Sequence, residues 1–406
     1  MAPSSQPTCR NWHWPSWLAE PSGSCCGAVR GNARCSAPPS GQSSYTTNVN
    51  MLYNQAAMPN RFIELPVSAA TAYAQLQTAA LAVELARDVS HLHGSFSTKQ
   101  VKGTKQWYFA FRDTDQSVRQ IYVGPDTEDI RTLVGKANAA QPFERLKPLA
   151  KSALALGCTA TQRKHLSVIL RLNEFGFFRA GGVLIGTHAF LSYANQLGLR
   201  WNNPDQTSDI DFAHAGRNIS IALPATIKAL PHSALTTMAE GFLPLVQYKG
   251  KGSAGASYRH RDEPEFQIDF LAPRVADNDD PIQVDNLDVS LQPLRFMEFS
   301  LEGVQQATLF DPTGRCVVVS LPAPQRYAIH KLLIVGERAG EFKAKVSKDL
   351  AQAASLLEYF NMADPDAIRD AWADALSRGP GWRKRALEGK KALAAKTPDL
   401  VNALLA

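Results

Sequence analysis

The chain has 406 residues, of which 45% are hydrophobic and 20% charged, with a formal net charge of +6. That length supports two or three ordinary cores, and that composition excludes a disordered or fibrous protein. No apolar run reaches the eighteen or so residues that span a bilayer, so no membrane partner is expected; the modest positive charge permits phosphate-rich partners without demanding them.

Residues 1–60 read as a disordered tail, rich in Ser, Pro, Gly, Cys and Trp and lacking the apolar core of a signal peptide. Four of the six cysteines (Cys9, Cys25, Cys26, Cys35) fall here, leaving Cys158 and Cys316 for the remainder. A disulfide-built secreted domain would not distribute them so, and a cytoplasmic location is expected. Zinc at Cys9, His13, Cys25 and Cys35 is an alternative whose spacing matches no common finger. Met51 or Met58 is an alternative start.

Residues 61–160 predict an N-terminal helix and a small basic, aromatic β-meander. "VSAATAYAQLQTAALAVELARDVSHLHG" reads as one Ala-rich helix closed by Gly94, and "KQWYFAFRD" and "VRQIYVGP" as paired strands. Lys99, Lys102, Lys105, Trp107, Tyr108, Phe109, Phe111, Arg112, Arg119 and Tyr122 interleave cations with rings. Such a sheet can stack bases and hold phosphates, or simply form a small core with a solvated face.

Residues 161–321 change in character. A helix leads to "RAGGVLIG", a buried strand with glycine at both ends. Thr187 is placed to cap the next helix, on which Phe190, Tyr193, Ala194 and Leu197 recur at helical spacing before Gly198. "SDIDFA" is a second strand. "ASYRHRDEPEFQIDFLAP" is a hairpin ending in a third, and "VQQATLF" and "RCVVVSL" form another hairpin around "DPTG". Beyond Pro322, residues 322–406 predict a helical domain, with helices near 325–338, 342–361 and 366–378 and a basic, Gly-interrupted end.

The chemistry lies in the carboxylates. Residues i and i+2 of a strand share a face, so Asp209 and Asp211 project together while Ile210 and Phe212 point into a core. "FQIDFLAP" likewise buries Ile268 and Phe270 and exposes Asp269 on the other face. If the two strands are neighbours, three carboxylates meet, and they ionise together only beside a cation. Hard oxygen donors suit Mg²⁺ or Mn²⁺, which in pairs activate an attacking oxygen and stabilise a leaving pyrophosphate. Gly186 and Thr187 at a helix start supply backbone N–H groups and a hydroxyl for phosphate. On "PQRYAIHKLLIVGER", Ala328, Leu332 and Val335 form an apolar stripe that leaves Lys331 free to reach a triphosphate. Lys348 and Asp349 lie beside the inward stripe Val346, Leu350, Ala353 and Leu357. Arg259, His260, Arg261, His188 and His214 are secondary candidates for substrate contact.

"GGVLIGTHAF…TSDIDFA…FQIDFLAP…RYAIHKLLI…KDLAQAASLL" resembles a bacterial nucleotidyltransferase family of largely unassigned substrate, within the DNA-polymerase-β-like superfamily. That family is similar to nucleotidyltransferase toxins of abortive-infection type toxin–antitoxin systems. The resemblance implies an α+β fold, a polymerase-β-like palm with a mixed sheet. Asp209 and Asp211 would hold metals, Asp269 would be the third ligand or base, and Gly186 and Thr187 would hold nucleotide phosphates. Lys331, Lys348 and Asp349 would contact nucleotide or order the site. The usual motif has serine after the glycine and a shorter gap to the aspartates, which leaves Gly181-Gly182 and Gly186-Thr187 both open as the phosphate pair. The expected activity is Mg²⁺- or Mn²⁺-dependent transfer of NMP from an NTP to an acceptor, with release of pyrophosphate. The sheet near Trp107 and the terminal "GWRKRALEGKK" make RNA, tRNA in particular, a candidate acceptor beside a protein hydroxyl or a small molecule. An antitoxin is a candidate partner. The alternative is a non-catalytic nucleic-acid-binding or toxin–antitoxin interaction protein on the same fold.

Overall fold

A computed structural model describes residues 60–85, 94–101, 103–112, 118–139, 145–202, 207–215, 229–238, 241–245, 255–274, 279–284, 287–338 and 343–405. The expectations for the N-terminal tail, its cysteines and its alternative starts lie outside these residues, as do Lys102 and the side chains of Phe111, Arg112 and Arg119.

Strand β1 (Phe62–Glu64) runs through Pro66 into helix α1 (Val67–Leu85). Ala69, Tyr73, Leu76 and Ala80 recur at helical spacing and form its buried stripe. β2 (Gly94–Val101), β3 (Thr104–Arg112) and β4 (Val118–Pro125) then make a three-stranded antiparallel sheet, followed by α2 (Glu128–Ala139) and α3 (Lys147–Ala155). Gly94 therefore opens a strand instead of closing the first helix; the described helix ends at Leu85. The sheet's own rings take up its lysines: Lys99 Nζ lies 5.0 Å from the centre of Tyr108 and Lys105 Nζ 5.5 Å from that of Trp107. Trp107 Nε1 in turn donates to Asp126 at 2.7 Å.

The central part runs α4 (Arg163–Glu174), β5 (Gly182–Leu184), α5 (Gly186–Gln196), β6 (Leu199–Trp201), β7 (Ile210–His214), α6 (Pro231–Thr236), β8 (Phe242–Leu245), β9 (Ser257–His260), β10 (Gln267–Pro273), β11 (Ile282–Gln283), β12 (Ser290–Leu294) and α7 (Met297–Leu301). Its seven-stranded mixed sheet places β7 beside β10 in parallel and β5 beside β7 antiparallel. The far edge of β10 is shared, with β9 on its first half and β12 on its second. Ile210, Phe212, Ile268 and Phe270 are fully buried on one face, as the alternation predicts. Phe177 packs on that face edge-on, with ring centres 5.4 Å from Phe212 and 5.5 Å from Phe270.

β13 (Gln305–Phe310) and β14 (Cys316–Leu321) form the expected hairpin. It does not stand apart: Phe310, Cys316 and Val318 share a core with α1 and α3, and the Tyr73 hydroxyl donates to the Thr308 carbonyl at 3.2 Å. Five helices finish the chain, α8 (Pro324–Glu337), α9 (Lys343–Ala363), α10 (Pro365–Ser377), α11 (Pro380–Ala394) and α12 (Pro398–Leu404). The basic, Gly-interrupted end is helical too, in α11 and α12. Gly389 in α11 lies against the Leu332 carbonyl of α8, and Gly336 in α8 against the Arg385 carbonyl of α11. Each glycine is where a Cβ would overlap the partner backbone, so a helix-weakening residue is offset by close packing. The described residues form a mixed α+β fold of fourteen strands and twelve helices.

Candidate active site

Register brings the carboxylates together. Asp211 on β7 lies directly opposite Asp269 on β10 in the parallel ladder, so both project from the same face. Ser257 Oγ donates to Asp269 Oδ1 at 2.5 Å and Gln267 Nε2 at 2.8 Å, which fixes the carboxylate. Asp209 precedes β7 and is exposed; its N–H donates to Thr207 Oγ1 at 3.3 Å. Asp211 and Asp269 are half-buried. Burial, then the charges of Asp269 and Asp209, push the Asp211 carboxyl up to about 6, against the pull of Lys331 and Lys348. Burial and Asp269 also raise Asp209, opposed by Lys345 and Lys348.

No described residue donates a hydrogen bond to the Asp211 carboxylate. A carboxylate drawn partly out of water without a donor carries a desolvation cost, and a cation is the natural remedy. The donor set, oxygen throughout, fits Mg²⁺ or Mn²⁺. The arrangement is not a closed cage, however. Among the described residues no three His, Cys, Asp or Glu side chains are gathered tightly enough to hold a metal ion. Asp269 is turned toward Ser257 and Gln267, and Asp209 lies beyond the end of the ladder.

Helix α5 begins against this edge. Gly186 has φ +62°, and a Cβ there would overlap the Asp211 carboxylate, so glycine serves both backbone and close approach. The Ile185 N–H donates to the Asp211 carbonyl at 2.9 Å, tying the helix start to β7. Thr187 is not the cap expected of it. Ile185 holds that position, no side chain caps the helix, and Thr187 lies buried in its first turn. Its Oγ1 accepts from Gln352 Nε2 at 3.4 Å. Uncapped N–H groups at a helix start favour anions. Gly182, by contrast, lies over the Phe177 ring. Of the two glycine pairs, Gly186-Thr187 is the one beside the carboxylates.

The C-terminal helices close the other side, in a different way from that expected. Lys331 is not free: its Nζ pairs with Asp349 at 2.7 Å and lies 5.1 Å over the Tyr327 ring. Arg338 binds the other oxygen of Asp349, which is buried. Asp349 therefore braces α8 to α9. Lys348 makes no ion pair or hydrogen bond among the described residues and acts on both Asp209 and Asp211 through space. Tyr327, Gln352, Ser257 and Gln267 escaped the sequence analysis. The Tyr327 hydroxyl reaches the Gly186 carbonyl at 2.9 Å and Gln352 at 2.7 Å, linking α8 and α9 to the start of α5. Tyr327 lies one turn before Lys331 and Gln352 one turn after Lys348, a spacing that marks a shared helix face.

The secondary candidates are structural in placement. His188 is buried, with Nε2 2.9 Å from Nδ1 of His165. Burial pushes the two imidazoles down to about 3 and about 4 respectively. His214 Nε2 lies 2.6 Å from the Ala180 carbonyl. His260 Nδ1 accepts from the backbone of Asp262 and Glu263, shaping the turn, while Arg259 is exposed. Beside Asp209 a cavity of about 490 Å³ is lined by Gln162, Lys164, Thr207, Ser208 and the turn Glu263–Phe266.

Comparison with known proteins places the chain in a family. No curated protein matches the chain. Among solved structures, an antigenic nucleotidyltransferase-like protein from Paracoccidioides brasiliensis is similar at 18% identity, over 60% of this chain and 92% of that one, with a TM-score of 0.30. Residues 163–377, more than half of the chain, match a family profile described as nucleotidyltransferase. They take in α5, β7, β10, α8 and α9, every element that builds the carboxylate edge and its surroundings. The chain belongs to this nucleotidyltransferase family.

Proposed function

We propose that this protein is a metal-dependent nucleotidyltransferase with a polymerase-β-like palm, moving NMP from an NTP to an acceptor hydroxyl or amine. The observation that carries this is Asp211: half-buried, without a hydrogen-bond donor among the described residues, opposite Asp269, and pressed on the glycine that starts α5. Asp209, Asp211 and Asp269 would hold Mg²⁺ or Mn²⁺. When bound, such an ion neutralises the carboxylates and the developing charge on phosphate.

The chain's own groups do the rest. The uncapped N–H groups of α5 receive nucleotide phosphates, with Gly186 allowing their approach. Lys348 supplies a positive charge to the same edge. Lys331 and Asp349 order the site from behind, through Tyr327 and the α8–α9 brace. Asp269, aimed by Ser257 and Gln267, is placed to accept the acceptor's proton. As the acceptor oxygen or nitrogen bonds to the α-phosphorus, the bond to the bridging oxygen breaks and pyrophosphate leaves. The cavity lined by Thr207 and Ser208, the residues just before Asp209, is the candidate approach for the acceptor. RNA, a protein hydroxyl and a small molecule are the candidate acceptors, and an antitoxin is a candidate partner.

The test is incubation of the full chain with each α-phosphate-labelled NTP, Mg²⁺ and total RNA or cell extract. Label transfer that Asp211→Asn abolishes is the expected result. Metal-independent RNA binding with no transfer to any acceptor would instead establish the non-catalytic alternative.

A further inference from the structure

Three buried side chains meet behind the start of α5: Thr187, Tyr327 and Gln352, which are 6%, 2% and 2% exposed. The Tyr327 hydroxyl lies 2.9 Å from the Gly186 carbonyl and 2.7 Å from Gln352 Oε1, while Gln352 Nε2 lies 3.4 Å from Thr187 Oγ1. With the amide so placed, the tyrosine faces two carbonyl oxygens and has one hydrogen to give. One of its two short contacts then has no hydrogen in it. Buried polar atoms left this way call for a reason.

Turning the Gln352 amide over meets every contact. Its nitrogen then donates to the Tyr327 oxygen, the phenol hydrogen goes to the Gly186 carbonyl, and the amide oxygen receives the Thr187 hydroxyl. The 2.7 Å contact suits an N–H donor, and the 3.4 Å contact is long and weak for either donor. The ring that carries the phenol is itself fixed. Tyr193 packs on it edge-on, with centres 5.4 Å apart, and Lys331 Nζ lies 5.1 Å over its face. A cation there draws density from the ring and makes the hydroxyl a stronger donor.

The Gly186 carbonyl and the Thr187 N–H belong to one peptide group. In a helix the carbonyl points along the axis and the N–H points back past the N-terminus. The N–H groups of Gly186, Thr187 and His188 complete no hydrogen bond among the described residues; the first bond of the helix runs from Ala189 to Ile185. Hydrogen bonds in series polarise one another, so a donor on the carbonyl strengthens the N–H across the same peptide. We propose that Tyr327, oriented by a Gln352 amide that donates to it, is a positioning residue for nucleotide phosphate. It acts through the Gly186–Thr187 peptide, and the Thr187 backbone N–H, not the buried Thr187 hydroxyl, is the phosphate donor of that residue. This deepens the proposed function and rests on the start of α5 receiving phosphate.

Nitrogen NMR of the full chain tests the peptide without any ligand, since a donor on a carbonyl moves the next amide nitrogen downfield. Tyr327→Phe is expected to move the Thr187 amide nitrogen upfield, and Gln352→Met to move it the same way by less or not at all. No movement in Tyr327→Phe, or a downfield movement in Gln352→Met as the tyrosine is released to Gly186, overturns the proposal. Calorimetry with Mg²⁺ and inorganic tripolyphosphate, which carries no base and no transferable nucleotide, then reads the phosphate site. Tyr327→Phe should weaken binding about fivefold, the size of one hydrogen bond, and Thr187→Val less than about twofold. A loss in Thr187→Val as large as that in Tyr327→Phe would make the hydroxyl the ligand, and unchanged binding in Tyr327→Phe would make its contact idle; either overturns the proposal. Circular dichroism establishes that each variant is folded. A wild-type chain that binds no tripolyphosphate would overturn phosphate binding at α5 itself, a failure that the NMR result keeps distinct.

Discussion

Asp349 is buried and Asp211 half-buried, both aspartates sit close to the start of α5, and the fold treats them in opposite ways. Asp349 receives Lys331 at 2.7 Å on one oxygen and Arg338 on the other. Asp211 receives no donor from the described residues and has two further carboxylates for neighbours. The helical brace thus completes its own charge, while the sheet edge leaves a charge for something else to complete. A satisfied ion pair marks a part that must stay still. An unsatisfied carboxylate in the same neighbourhood marks where binding takes over from folding.

The comparison can be broken or sharpened by mutation, beginning with the largest effect. Asp211→Asn should slow nucleotidyl transfer about a thousandfold, about 4 kcal/mol of barrier, in single-turnover assays. A loss below tenfold would put the chemistry elsewhere. Asp349→Ala should cost about 3 kcal/mol in urea unfolding, because it leaves Lys331 and Arg338 without their partner. Arg338 is partly exposed at 29%, which keeps the figure below that of a wholly buried pair. A cost under about 1 kcal/mol would mean the brace is idle.

The same Asp211→Asn change should have the opposite sign for stability. The folded carboxyl is raised to about 6 from an ordinary 3.8, so the native state holds its proton longer than the unfolded chain does. The resulting penalty is absent below pH 4, grows as pH rises, and is complete above pH 6. Without divalent ions, Asn should therefore stabilise the protein at pH 7 by about 2 kcal/mol, a gain that vanishes near pH 4. An Asn variant no more stable than wild type at pH 7 would show that Asp211 is already compensated. The smallest effects separate the two glycine pairs. Gly186→Ala and Gly182→Ala should each cost about 1–2 kcal/mol, the first through its left-handed backbone, the second by overpacking Phe177. Only Gly186→Ala should also impair transfer, since its methyl displaces Asp211. Equal activity of the two variants would dissolve the assignment.

What was legible in the sequence follows from the range of the forces involved. The alternation in "SDIDFA" and "FQIDFLAP" showed which residues go inward, because a strand's period is local. The stripe Ala328, Leu332 and Val335 did the same for a helix, and all three are buried. Lys331 was misjudged because its partner is eighteen positions away on another helix, and no local period reports that contact. Thr187 looked like a cap by residue type; the bond from Ile185 to Asp211 starts the helix two residues sooner. His165 is one of several polar residues on an amphipathic helix, and its meeting with His188 depends on how α4 packs beside α5.

The paired glycines of α8 and α11 bear on where this protein can be divided. The family match stops at residue 377, yet α11 begins at Pro380 and locks backbone to backbone onto the helix that carries Tyr327 and Lys331. A chain trimmed to the family boundary would keep every candidate catalytic residue and lose the helix that seats α8. Shared ancestry and cooperative folding draw their borders at different residues here, and an excised catalytic core would need its last helices to hold its shape.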